Sequence, residues 1–287
     1  MSTETETGTS KTGAIKTGRN LPVAIAVGAV LGGGVLLTLL TVKATFLIYM
    51  GAAVAVGLHE LSGAFRHKDI AIPRLPLVAG GIAMLTCGYW LGYRGLAAAT
   101  GLTVLAVIAY RLVRGGTAGF VRDASAGVFA AIYIPFLASF VAAMLSPGDG
   151  ARRVLTWVIV TICSDIGGYF AGITLGRGSK HPMAPAISPK KTWEGFSGSA
   201  VACLAAGALT MTLLLHGKLW QGLILGAAAV VAAIAGDLVE SAIKRDLDIK
   251  DMGSLLPGHG GVLDRIDSLL VTAPVTWLLL VAFLPTH

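Results

Sequence analysis

Charge is scarce in this chain. Only 13% of its 287 residues are Asp, Glu, Lys or Arg, against about 25% in soluble domains, and the mean hydropathy is +0.78. Ionisable groups are costly in lipid, so the shortage excludes an ordinary soluble domain and points to a polytopic, all-α membrane protein. Cysteine is scarce as well. Cys87, Cys163 and Cys203 each lie in an apolar run without metal-like spacing, which leaves them as buried thiols rather than a metal module. No fixed-period repeat marks a solenoid or an inverted-repeat transporter. No small-residue cleavage site accompanies the first apolar run, so a cleaved signal peptide is not expected. The formal charge of +7 is no argument for nucleic acid, because basic residues beside membrane spans act as topology signals.

What the chain has is oil and small residues. Its 38 glycines and many alanines suit closely packed membrane helices. Residues 1–20 lack apolar content and read as a disordered cytosolic tail. Apolar runs long enough to span lie at 21–42, 44–65, 75–93, 95–113, 124–145, 153–175, 197–216, 219–242 and 268–285, about nine in all. The first five belong to an N-terminal region, 21–150, and the rest to a C-terminal region, 151–287, with cytosolic loops. Seventeen of the 22 basic residues fall on the side of the N-terminus, which predicts N-in, C-out. Both long polar loops, 176–196 and 243–267, are then cytosolic.

The charge that exists is concentrated. Residues 241–268 hold Lys244, Arg245, Asp246, Asp248, Lys250, Asp251, Asp264, Arg265 and Asp267, with His259 as a further titratable group. Asp237, Glu240, Ser241 and Lys244 recur at i, i+3, i+4 and i+7, one face of a helix whose preceding run is strongly apolar. A structural Asp–Lys pair is the bland reading of that face. Asp264 and Asp267 share a face just before the last span. They suit a hard-cation oxygen site, or simply a solvated helix N-terminus. Asp165 interrupts the sixth span between Ser164 and Tyr169, as a helix-pairing acid or a further part of the cluster. The loop after it carries Arg177, Lys180, Lys190 and Lys191, fit for a triphosphate or for anionic headgroups. His59 and Glu60 in the second span read as a structural polar contact.

The stretch "SAIKRDLDIKDMGSLLPGHGGVLDRID" resembles the signature of the CDP-diacylglycerol synthases, or phosphatidate cytidylyltransferases. Ser241, Lys244, Arg245, Lys250, Asp251, Pro257, His259, Gly260, Gly261, Asp264, Arg265, Ile266 and Asp267 stand at that family's spacing. "SPKKTWEG" at 188–195 and "GD" at 236–237 fit the same order, so the resemblance covers about 160–285. One departure is Ile166, where the family has a hydroxyl residue after the acid. The resemblance implies an enzyme that joins CTP and phosphatidic acid into CDP-diacylglycerol and pyrophosphate at the cytosolic face of the cell membrane. It implies Mg²⁺ on Asp237 and Asp264, with Asp267 and Asp165 in support, and leaves K⁺ open as a second cation. Lys244, Ser241 and His259 are implied as further catalytic residues. Lys190, Lys191, Arg245, Lys250 and Arg265 are implied for the substrates, and a homodimer among membrane lipids for the assembly. A CDP-archaeol synthase, a CTP-dependent lipid kinase and an ion-coupled transporter are the rival readings.

Overall fold

The apolar runs fold as helices, and their polar interruptions decide where those helices stop. The computed structural model describes residues 32–175, 181–255 and 260–284. Helical turns at 32–40 form α1, followed by α2 (Lys43–Phe65), α3 (Arg74–Trp90) and α4 (Gly92–Gly115). Next come α5 (Phe120–Leu145), α6 (Gly150–Thr174), α7 (Trp193–Leu213), α8 (Leu219–Asp246) and α9 (Leu263–Phe283). Seven of these, α2 and α4 to α9, are long and apolar enough to cross a membrane. The expectation of about nine spans is met for those seven among the described residues. Described α1 turns are too few, and α3 has 17 residues, about 26 Å at 1.5 Å per residue.

Apolar side chains such as Ile48, Leu105, Val201 and Val231 are exposed along these helices, as lipid-facing surfaces require. Between helices the fillers are small. A Cβ on Gly198 of α7 would stand 2.3 Å from Ala171 Cβ of α6, and one on Gly207 would stand 2.4 Å from the Gly222 carbonyl oxygen of α8. Only glycine permits backbones that close. Polar contacts join α6 to α9: Trp157 Nε1 donates to Thr272 Oγ1 at 2.9 Å, and Thr161 Oγ1 lies 3.0 Å from it.

Two departures from regular helix stand out. Helix α5 passes through a π-helical turn at Ile132–Phe136 that contains Pro135. Proline lacks the N–H of the regular ladder and clashes with the carbonyl four residues earlier, so the wider turn accommodates it. The loop between α6 and α7, beyond an all-α expectation, holds a small antiparallel hairpin of β1 (Pro182–Ala184) and β2 (Ser188–Thr192). Thr192 then caps α7 by accepting from the Gly195 amide at 3.2 Å.

Candidate active site

Helix α8 brings the first acids. A Cβ on Gly236 would lie 2.7 Å from the Asp267 carbonyl oxygen of α9, so the bare backbone lets α8 and α9 cross at their acidic residues. One residue later, Asp237 accepts from Ser241 Oγ at 3.2 Å and pairs with Lys191 Nζ of β2 at 2.5 Å. The hairpin therefore closes over α8, and Arg245 Nε donates to the Ile187 carbonyl in its turn at 3.5 Å.

Helix α9 begins on a long-range cap. The amides of Val262 and Leu263 donate to Glu60 of α2 at 3.0 and 2.9 Å, meeting two of the N–H groups that every helix start leaves without partners. Glu60 is buried. Asp264 then accepts from the Met252 amide through both oxygens (3.2 and 3.0 Å), from the Gly261 amide at 2.8 Å, and from Lys244 Nζ at 3.0 Å. Lys244 is shared with buried Glu240 at 2.5 Å. The other Glu240 oxygen, Oε1, and the hydroxyl of Tyr133 in the π-helical turn are buried without a hydrogen-bond partner among the described residues.

These groups surround one cavity of about 530 Å³ between α6, the hairpin, α7, α8 and the start of α9. Six carboxylates line it (Asp165, Asp237, Glu240, Asp251, Asp264, Asp267), along with four cations (Lys190, Lys191, Lys244, Arg265). The charges of Asp165, Asp237 and Asp267 act on one another there, offset by Lys191, Arg265 and Lys244. Thr192 and Gly195, at the start of α7, also line it, and a helix N-terminus favours an anion. The cavity thus offers carboxyl oxygens and cationic donors side by side, the two halves of what a metal–phosphate complex needs.

The residues foreseen from sequence distribute unevenly around it. Asp165, Asp237, Asp264, Asp267, Lys190, Lys191, Lys244 and Arg265 meet in the cavity. Ser241 stands behind Asp237, Arg245 reaches the hairpin, and Lys250 is exposed away from the lining. His259, Pro257, Arg177 and Lys180 lie outside the described residues. The carboxylate of Glu60 was the contact least legible in sequence, because its partners are backbone amides more than 200 positions away. Glu240, by contrast, carried a signal in its i+3 spacing from Asp237.

The donor chemistry of the cavity fits a hard divalent cation, since all its acidic ligands are oxygen. Among the described residues no three acidic, His or Cys side chains are gathered into a ligand cage.

Comparison with known proteins supplies a family. Residues 22–283 match the model of the cytidylyltransferase family. A phosphatidate cytidylyltransferase of Mycobacterium leprae is 43% identical over 282 residues, covering 92% of this chain and 89% of that protein. One from Mycobacterium bovis is 39% identical over 277 residues, covering 92% and 90%. The same name belongs to a Brucella suis protein that is 41% identical over 148 residues, half of this chain and 54% of the relative.

Proposed function

The chain belongs to the cytidylyltransferase family and is a nucleotidyltransferase, and from that premise we propose that it joins CTP to phosphatidic acid, giving CDP-diacylglycerol and pyrophosphate. One observation carries the reading: six carboxylates and four cationic side chains share a single cavity. A lipid phosphate must attack the α-phosphorus of a nucleotide, and the two anions repel each other. Lys190 and Lys191 on β2, Lys244 on α8 and Arg265 on α9 offset that repulsion and hold charge that grows on the departing pyrophosphate. The lipid phosphate is already ionised near neutral pH, so the site needs no protein nucleophile. The transfer is direct and in line, with inversion at the α-phosphorus.

Asp165, Asp237 and Asp267 are the residues that would hold Mg²⁺ in this cavity. Asp264 joins them only by exchanging Lys244 or a backbone amide for the ion, because its lone pairs are already taken. A divalent cation bound there supplies charge neutralisation and Lewis acidity toward phosphoryl oxygen. Ser241 steadies Asp237, and Lys191 holds it against the hairpin until substrate phosphates compete for the ammonium. The N-in arrangement expected from the basic residues would put this cavity on the cytosolic side, where CTP is available.

The test is release of pyrophosphate from CTP by the purified protein in mixed micelles, with and without phosphatidic acid and Mg²⁺. Pyrophosphate that needs both additions is the expected result. CDP as the nucleotide product would instead indicate a kinase, and net retention at the α-phosphorus would exclude direct transfer.

A further inference from the structure

A second cavity, of about 520 Å³, lies among the N-terminal helices and shares no lining residue with the first. Arg66 at the end of α2, Arg74 at the start of α3, and Arg111 and Arg114 in the last turns of α4 all line it. Its single carboxylate, Asp123 of α5, is fully engaged. Oδ2 accepts from Arg111 Nε at 3.0 Å, and Oδ1 accepts from Arg122 Nε at 2.9 Å. Arg111 also donates from Nη1 to the Gly116 carbonyl and from Nη2 to the Ala118 carbonyl.

The other three guanidinium groups meet no carboxylate among the described residues. Arg74 donates to Ser62 Oγ at 2.7 Å, and Arg114 rests 5.6 Å from the centre of the Tyr110 ring. Arg66 and Arg74 repel each other. Topology signals explain basic residues at helix ends. They do not explain why the ends of three helices aim like charges into one hollow, an arrangement that favours an anion between them. Guanidinium forks match phosphate oxygens in particular. Ala71, Ile72, Pro73 and an exposed Leu75 supply apolar lining beside the arginines.

We propose that this arginine-lined cavity binds a phosphate group outside the catalytic cavity, either the headgroup of an anionic phospholipid or free phosphate. Arg66, Arg74 and Arg114 grip the oxygens, while the Arg111–Asp123 pair fixes the floor. The ligand completes a charge balance that the protein alone leaves positive.

Native mass spectrometry of the full chain in detergent tests this with two probes, phosphatidylglycerol and inorganic phosphate. Wild type is compared with the double variant Arg66→Gln/Arg114→Gln, whose altered side chains have no carboxylate to lose, and with the catalytic-cavity variant Asp237→Asn. The double variant should bind one probe at least about tenfold more weakly, while Asp237→Asn binds it like wild type. Weakening confined to phosphatidylglycerol identifies a lipid headgroup, and weakening confined to inorganic phosphate identifies a soluble ligand. Equal binding of both probes by wild type and the double variant overturns the proposal. If the double variant does not fold, Arg66→Gln alone decides on the same criterion.

Discussion

Helices α4 and α5 bury charge as a closed set: Asp123 takes Arg111 and Arg122, and both terminal nitrogens of Arg111 find backbone carbonyls. Helices α6 to α9 bury charge as an open one. Six carboxylates and four cations line one cavity, and one oxygen of Glu240 has no hydrogen-bond partner among the described residues. Burial of ions is costly in both places, and a pair is tolerated only where its remaining hydrogen bonds are met. The closed set therefore serves the fold, and the open set waits for something brought from outside. On the proposed function, the contrast divides the Arg111–Asp123 charge that serves the fold from the cavity charge that serves catalysis.

Exchanging one acid in each region gives the largest effect and can break that contrast. Asp237→Asn should lower turnover by at least about 10²-fold, measured as pyrophosphate release, with little change in resistance to SDS unfolding. Asp123→Asn should do the reverse. It leaves Arg111 buried beside a weaker partner and should cost about 3 kcal/mol of stability, while the folded fraction keeps its turnover. Lost turnover in Asp123→Asn at unchanged stability would remove the distinction between the two regions.

Glu60 sharpens the comparison, because it belongs to an N-terminal helix but sets the start of α9. Glu60→Gln keeps the shape and replaces one acceptor oxygen with an NH₂ group. That group must then face the amide of Val262 or Leu263, donor against donor. Asp264 and Asp267 sit one to five residues beyond those amides, so the error passes directly into the cavity. The expected outcome is a fall in kcat of about tenfold, with the KM for CTP nearly unchanged. A rise in KM with kcat intact would place Glu60 on the binding side instead.

Much of the fold was legible in the sequence, because lipid forces long apolar runs into helices. Seven of the nine predicted spans correspond to described helices long and apolar enough to cross a membrane, and most of their boundaries differ by only a few residues. The acid cluster was legible too, since Asp237 and Glu240 are costly interruptions of an apolar helix and Asp264 and Asp267 share a face. What stayed hidden depends on contacts between distant backbones. The hairpin that carries Lys191 to Asp237 forms in a stretch with three prolines and weak strand character. The Glu60 cap uses main-chain amides, which have no sequence signature. The arginine-lined cavity was likewise invisible, because Arg66, Arg74 and Arg114 read singly as topology signals and converge only when α2, α3 and α4 pack.

The smallest effect should come from the surface contact that also joins the two regions. Lys68, just after α2, meets Asp248, beyond α8, at 2.5 Å, but the side chains are 42% and 79% exposed. The ammonium holds the Asp248 carboxyl below the usual carboxylate range. Any support from that shift is present above the unfolded Asp value of about 4 and fades as pH falls through the lower folded value. At exposed sites water and salt screen such a pair. Lys68→Ala should therefore leave both turnover and the unfolding midpoint at wild-type values in 0.15 M salt (about physiological ionic strength), near neutral pH. Both contacts tie the end of the α2 segment to the C-terminal helices, one buried and made to main-chain amides, the other an exposed ion pair. A loss in Lys68→Ala that exceeds the loss in Glu60→Gln would mean that α9 is positioned from the surface loop rather than from the carboxylate beneath it.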